Sequence, residues 1–282
     1  MHLSGAAYKV GVGSVNEACA NVHDTMRRVD QLLRATAIAE ARHFWFRGFR
    51  AFVTPLVKRA IVGRPDPLLL DCGCGTGANV ELLSAFGRAF GFDLTEIGLR
   101  IGREAGRKRL ARASVTAVPF PSATFDVVTS FDVLYALDSA DQRTAIAEMY
   151  RVLKPGGFAI VNVAAMKMLR GDHSAFGGEV HRYSRGELRT GLEAGGFEVQ
   201  RLTYTNATLF APLAVLRLLQ RRRGLRTEAA EQRDILVPAA PINTIMTAVV
   251  RLESVWLRWF DAPFGSSLLC LARKPAAPVR HG

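Results

Sequence analysis

Cysteine is scarce: Cys19, Cys72, Cys74 and Cys270 are the four in 282 residues. Four at irregular spacing make no disulfide framework, so a reducing compartment, the cytoplasm, is expected. No second Cys/His cluster completes a metal-ligand set with Cys72 and Cys74, so no metal is expected and both read as small buried loop residues. No stretch reaches about 18 uncharged apolar residues, which excludes an ordinary membrane-crossing helix. The N-terminal residues lack an apolar segment behind a basic start, so no signal peptide is expected. Repeats and low-complexity tracts are missing. Acidic residues are in deficit, 25 against 37 basic, for a net charge of +12. That excess admits nucleic acid, an anionic membrane surface or an acidic small molecule as partner.

What is present is a globular composition, 49% hydrophobic and 22% charged, long enough for one domain with elaborations. Residues 1–30 read as a weakly structured lead-in. Residues 31–62 read as two helices broken near His43, where His43, Phe44, Trp45 and Phe46 gather. Trp45 and its neighbours either lid a pocket or pack a helix onto the core. After Pro65 and Pro67, Leu68–Leu70 forms an apolar run ending at Asp71, then come Gly73, Gly75 and Gly77, then a helical pattern through Leu82, Leu83 and Phe86. Strands are expected at 89–92, at 114–118 (weak), at 125–131, at 158–163, at 197–204 and at 267–272. Helices are expected near 97–106 and over 141–153, the latter stopped by Gly156-Gly157. Ser184 and Glu187 fit a capping box opening a further helix that ends at Gly195-Gly196. Strands alternating with helices predict an α/β fold with a largely parallel, doubly wound, Rossmann-like sheet.

A glycine-rich turn between strand and helix lets a ligand approach the backbone, and the helix N-terminus behind it favours negative ligand groups. Gly73-x-Gly75-x-Gly77-Ala78 fits more than one cofactor class, and Asp93, 20 residues after Gly73, suits a ribose-binding carboxylate in each. Asp71 separates the classes. A carboxylate at the end of the first strand repels a pyrophosphate and attracts the ammonium of an amino-acid-like ligand. The alternative is that Asp71 only caps the turn.

With these residues in place the chain resembles the class I S-adenosylmethionine-dependent methyltransferases, within a type 11-like bacterial subgroup. LLLDCGCGTGANVELL (68–83), GFDLTEIGL (91–99), AVPFPSATFDVVTSFDVLYAL (117–137) and MYRVLKPGGFAIVNV (149–163) carry the resemblance. It implies a seven-stranded sheet with the last strand antiparallel and S-adenosyl-L-methionine as cofactor. It assigns Asp71, Gly73, Gly75 and Gly77 to the methionine moiety, Asp93 to the ribose hydroxyls, Ser114 and Val115 to the adenine, and places Phe131 near the cofactor. Members often have Asp where Ser114 stands and Glu-His where Tyr135-Ala136 stands. The narrower subgroup resemblance rests on EARHFWFRGFR (40–50), on 171–218 and on PFGSSLLCLARKP (263–275), and departs from relatives at His173-Ser174 and Gly178-Glu179.

Methyl transfer needs a general base only when the nucleophile must lose a proton. His173, His181 and Tyr183 follow the fifth strand, and His181 or His173 suits that role. Alternatively His181-Arg182-Tyr183 docks the loop or binds a substrate phosphate or carboxylate.

The divisions expected are an N-terminal helical lid or cap (1–63), the cofactor-binding core (64–204), a helical insertion (205–266) and a final strand with tail (267–282). Within the insertion, Ala207–Leu219 is apolar except for Arg217, Arg221–Arg223 follow, and 224–242 reads as a polar loop. Residues 244–260 place Ile245, Val249, Leu252 and Trp256 on one helix face with Thr247, Arg251, Ser254 and Arg258 opposite. That stripe either packs on the core as a lid or lies at a membrane interface, and a lid open to a bilayer would admit a lipid-linked substrate. Charge follows the same division. Residues 64–163 carry 11 basic and 11 acidic residues, whereas 1–63 carry 9 and 4, and 205–282 carry 11 and 5. The acceptor expected is therefore a small or lipid-linked molecule with an anionic group, the protein being cytoplasmic or peripheral at the inner membrane face. Rival readings are an NAD(P)-dependent oxidoreductase and a non-catalytic S-adenosylmethionine-binding protein. A nucleic-acid acceptor is not expected, as no D/N-P-P-Y-type motif or appended nucleic-acid module is present.

Overall fold

The computed structural model of the chain describes residues 34, 36–166, 181–210 and 237–276. His173, the Arg221–Arg223 cluster, the lead-in and most of 207–242 lie outside the described residues. Helix α1 (Phe44–Ala60) begins where His43 accepts from the Trp45 amide with its Nδ1, which ends the helical turn at 36–39 and fixes the break expected there. β1 (Leu68–Cys72), α2 (Ala78–Ser84), β2 (Arg88–Asp93), α3 (Glu96–Glu104), β3 (Leu110–Arg112) and β4 (Phe125–Phe131) follow in alternation. Then come α4 (Ser139–Val152), β5 (Leu153–Ala164), α5 (Arg185–Ala194), β6 (Glu198–Thr205), α6 (Ala240–Trp256) and β7 (Ser267–Arg273).

The seven strands form one sheet in the order β3-β2-β1-β4-β5-β7-β6. β1 to β5 pair in parallel, while β7 runs antiparallel to both β5 and β6. This is the seven-stranded Rossmann-like architecture expected. The chain reverses its direction of travel across the sheet between β1 and β4, and the carboxyl ends of those strands are where such sheets bind ligands.

Alternation along the strands divides the core in two. Leu69, Val127, Ile160 and Leu271 face α1, which contributes Phe52, Val53, Leu56 and Val57. Leu70, Val128, Val161 and Cys270 face the other layer, where α4 and α5 contribute Ile146, Met149, Leu188 and Leu192. The capping box of α5 is formed as expected, with Ser184 Oγ accepting from the Glu187 amide and Glu187 accepting from the Ser184 amide.

Asp126 fastens the opposite end of the sheet. It is buried, and accepts from Arg64 Nη1 at 2.6 Å, Lys154 Nζ at 2.9 Å and the Leu68 amide at 2.9 Å. Burial works to raise its pKa, but the bonds from Leu68, Lys154 and Arg64 outweigh burial and hold the carboxyl below the usual carboxylate range.

Two expectations are corrected. The third strand is Leu110–Arg112, not Ser114–Val118; Ser114 to Ala117 is instead a tight turn, closed by the Ala117 amide on Ser114 O at 3.1 Å. Helix α4 ends at Val152, because Pro155 disfavours helical backbone just before it; Gly156 and Gly157 lie within β5. The structure decides between the two orientations left open for α6: Thr247 and Ser254 are buried, and Ile245, Leu252 and Trp256 are exposed. The helix packs on α1 by its polar face. Asn243 accepts from the Phe44 amide and donates to Arg42 O, both at 2.9 Å. Glu253 receives the Ala207 and Thr208 amides. Gly48 makes this crossing close, since a Cβ there would collide with Val250.

Candidate functional site

The site is built at the carboxyl ends of β1, β2 and β4. β1 delivers Asp71 into the protein interior, where Oδ1 accepts from Thr129 Oγ1 of β4 at 2.6 Å. Asp71 Oδ2 is buried with no hydrogen-bond partner among the described residues. Burial pushes its pKa up to about 7, the Thr129 bond opposing and the Asp93 charge reinforcing that rise. A buried carboxyl with one oxygen unpaired is costly unless a donor or cation meets it, so this atom fits a donor or a cationic group.

The glycine turn follows directly. Gly73, Gly75 and Gly77 take φ of +80°, +54° and +81°, a region other residues rarely enter. At Gly73 a Cβ would also collide with Val133, just after β4. The turn is tied to β2: the Gly73 and Cys74 amides both donate to Phe92 O at 2.9 Å. Asp93, half-buried, accepts from the Gly75 amide with Oδ2 and from the Thr95 amide with Oδ1, each at 2.8 Å. Each carboxylate oxygen keeps a further lone pair, enough for two adjacent hydroxyls.

The remaining candidates border this region unequally. The Ala113 amide donates to Asp93 O at 3.1 Å, which brings Ser114 and Val115 next to the end of β2. The Ser114 hydroxyl shares a 2.7 Å bond with Thr116 Oγ1. Phe131 closes β4, its ring meeting Phe49 of α1 edge-on at 4.9 Å. Phe44 and Phe49 of α1 thus pack against the core.

His181 and Tyr183 sit past the end of β5. The His181 amide donates to Tyr135 O at 3.0 Å, the Tyr183 amide donates to Ala164 O at 3.0 Å, and the two rings meet edge-on at 4.7 Å. His181 Nε2 lies 3.8 Å from Glu187 Oε2. Tyr183 is buried, and its hydroxyl has no partner among the described residues. Burial, reinforced by Glu187, drives its pKa well up, so the phenol stays protonated, able to donate a hydrogen bond but neither to serve as a base nor to give up its proton readily. Cys72 and Cys74 are buried free thiols whose pKa values burial also raises, and no group of metal-binding side chains occurs among the described residues.

Sequence reasoning missed four residues here. Asp132 follows β4 at φ +60°, its amide donating to Asn162 O and its Oδ1 accepting from Asn162 Nδ2, both at 2.9 Å. An Asp at the end of β1, of β2 and just after β4 was the signal available. Glu40, Thr76 and Arg107 form a cluster over the glycine turn. Thr76 Oγ1 donates to Glu40 Oε1 at 2.6 Å, and Arg107 Nη1 donates to Thr76 O at 3.0 Å and to Glu40 Oε2 at 3.3 Å.

A family model described as a methyltransferase domain matches residues 70–161, the span from β1 through β5. A probable S-adenosylmethionine-dependent methyltransferase of Mycolicibacterium smegmatis is 27% identical over 197 residues, covering 68% of this chain and 73% of that protein. A ubiquinone/menaquinone biosynthesis C-methyltransferase of Shewanella halifaxensis is 34% identical over 113 residues, 35% of this chain and 43% of its own length. A demethylmenaquinone methyltransferase of Anoxybacillus flavithermus is 35% identical over 99 residues, 31% of this chain and 40% of its own length. The chain thus spans less than half of these last two relatives. Among solved structures, a chain of the complex between the Haloferax volcanii Trm112 methyltransferase activator and a methyltransferase aligns with TM-score 0.57 over 90% of this chain and 98% of that one, at 19% identity. An S-adenosylmethionine-dependent methyltransferase from Mesorhizobium loti aligns with TM-score 0.51 over 78% and 97%, at 16% identity. At these identities the likeness is one of fold.

Proposed function

We propose that this chain, which belongs to the class I S-adenosylmethionine-dependent methyltransferases, methylates a small or lipid-linked acceptor that carries an anionic group. The observation that carries the site assignment is the buried, unpartnered Asp71 Oδ2 beside the glycine turn. A cationic, phosphate-free cofactor suits that atom, whereas the pyrophosphate of a dinucleotide does not.

S-adenosylmethionine supplies, when bound, a methyl carbon made electrophilic by its sulfonium. In this reading Asp71 neutralises the cationic methionine end. Gly73, Gly75 and Gly77 bring backbone amides close, and the start of α2 favours the carboxylate. Asp93 accepts the ribose hydroxyls with the lone pairs left by Gly75 and Thr95. Ser114 and Val115 border the adenine, and Phe131, braced by Phe49, walls the site. His181 is the group that takes a proton where the acceptor must lose one. Tyr183, protonated throughout, orients the imidazole by its ring and donates at most a hydrogen bond. In this reading the described residues up to and including α1 serve as the cap, and α6 belongs to a lid or membrane-surface element.

Two relatives, one named for ubiquinone/menaquinone biosynthesis and one for demethylmenaquinone, support a quinone-type acceptor. The basic excess of the N-terminal and 205–282 segments supports an anionic group upon it. Incubation with methyl-labelled S-adenosylmethionine and a cell lipid extract tests this. Label in the organic phase, with stoichiometric S-adenosylhomocysteine, is expected. Release of S-adenosylhomocysteine with label confined to protein or nucleic acid would contradict the acceptor class.

A further inference from the structure

Helix α6 is inverted relative to a helix that covers a core. Its inward face is polar: Asn243, Thr247, Glu253 and Ser254 are buried with Val250; Asn243 bonds to Phe44 and Arg42 and Glu253 to Ala207 and Thr208 past β6, while Thr247 and Ser254 donate to carbonyls of the helix itself. Its outward face is apolar. Ile242, Ile245, Leu252, Val255, Trp256 and, one turn on, Trp259 are exposed, Leu252 at 71% and Trp259 at 70%. At about 100° per residue they fall on one stripe opposite the buried face. Trp256 stacks on Phe260, also exposed, at 5.5 Å. A contiguous apolar stripe of this length facing water is unusual for a surface with no partner.

Along α6 the exposed charges are of one sign, and the acid just beyond it, Asp261, is paired with Arg201 at 2.9 Å. Within 240–260 the exposed charged residues are Arg251 and Arg258, and the single acid, Glu253, is buried against Ala207 and Thr208. On a helical projection both arginines fall along one edge of the stripe. Arg42 and Arg47 line the open groove at the N-terminal end of the same helix. Apolar face, indoles near its end and arginines along its edge fit the boundary between acyl chains and anionic headgroups. No helix among the described residues is long and apolar enough to cross a membrane. The geometry therefore suits a helix lying in the plane of a surface.

We infer that the outward face of α6 docks this chain on an anionic lipid bilayer, Ile245, Leu252, Trp256 and Trp259 entering the acyl boundary and Arg251 and Arg258 meeting headgroups. This deepens the proposed methylation of a lipid-linked acceptor and rests on it only for its purpose.

Flotation of the full chain with vesicles of equal phosphatidylglycerol and phosphatidylcholine tests the inference. Retention is expected on these and not on phosphatidylcholine alone. Ile245→Glu/Leu252→Glu is expected to reduce it at least about tenfold, since both side chains are exposed and apolar transfer is lost. Arg251→Glu/Arg258→Glu is expected to reduce it and to flatten its salt dependence. Unchanged thermal melting shows that both variants fold. No retention of the wild type, equal retention of the Glu variants, or a dimer in sedimentation that these variants dissociate would each overturn docking on lipid. Calorimetry with S-adenosylhomocysteine on the same samples separates the two readings. Lost flotation with intact cofactor affinity removes only the docking face. Intact flotation without cofactor affinity removes only the methyl-transfer reading.

Discussion

Thr76, in the glycine turn, donates its hydroxyl proton to Glu40, which precedes α1, at 2.6 Å. Arg107 joins them, donating to the Thr76 carbonyl and hydroxyl and to Glu40. The stretch just before α1 is therefore fastened at Glu40 to the turn that the cofactor reading uses. Glu40→Ala leaves Arg107 half-paired and is expected to cost about 2–3 kcal/mol in stability and to weaken cofactor affinity about tenfold. Glu40→Gln keeps an acceptor for Thr76 and is expected to restore most of the affinity. Melting curves and calorimetry on both variants check this; equal loss in the two would contradict a positioning role for the hydrogen bond.

Asp71 gives a pH signature. Its folded pKa, about 7, lies above the unfolded carboxylate value. Its contribution to stability is thus present below about pH 4 and lost as pH rises through 7. A cationic ligand at the unpaired oxygen lowers that pKa, so binding near pH 6 is expected to release protons. Calorimetry in buffers of different ionisation enthalpy measures the release. Asp71→Asn is expected to abolish it, and an unchanged release in that variant would contradict the assignment.

Asp126 acts with the opposite sign. Its folded pKa is lowered, so its stabilisation is present above about pH 4 and lost as pH falls through the folded value. Asp126→Ala leaves Arg64, Lys154 and the Leu68 amide without their acceptor and is expected to cost about 3 kcal/mol. Urea unfolding at neutral pH and at pH 3 checks both points: the gap between wild type and variant should shrink in acid.

His181 and Tyr183 are separable. His181→Asn is expected to lower turnover about 100-fold with cofactor affinity unchanged, as for loss of a general base. Tyr183→Phe removes a buried hydroxyl without a hydrogen-bond partner and is expected to leave stability equal or higher. Single-turnover rates with melting curves test the pair.

How much of this was legible follows from how local each signal is. β1, β4 and β7 read directly, since each is an apolar run bounded by Asp, Gly or Pro, and the capping box of Ser184 and Glu187 is complete within four residues. β3 did not, because a three-residue edge strand, half-buried and containing Arg112, leaves no alternation to detect. The period of α6 gave its two faces but not which faces inward. Asn243 and Glu253 decide that by satisfying backbone groups at Phe44 and Ala207, contacts 199 and 46 residues apart in the chain. The glycine turn and its strand-end aspartates lie within one strand-turn-helix unit and its neighbour. Glu40 and Arg107 are 67 residues apart, and only the fold brings them together.

The most direct test is calorimetric titration of S-adenosylhomocysteine into wild type and Asp93→Ala, with circular dichroism to confirm the fold. Saturable binding by wild type is expected, with a loss of about 100-fold in the variant, as two hydrogen bonds to a charged acceptor disappear. No binding by wild type, or equal affinity in a folded Asp93→Ala, would contradict a cofactor site at the ends of β1 and β2.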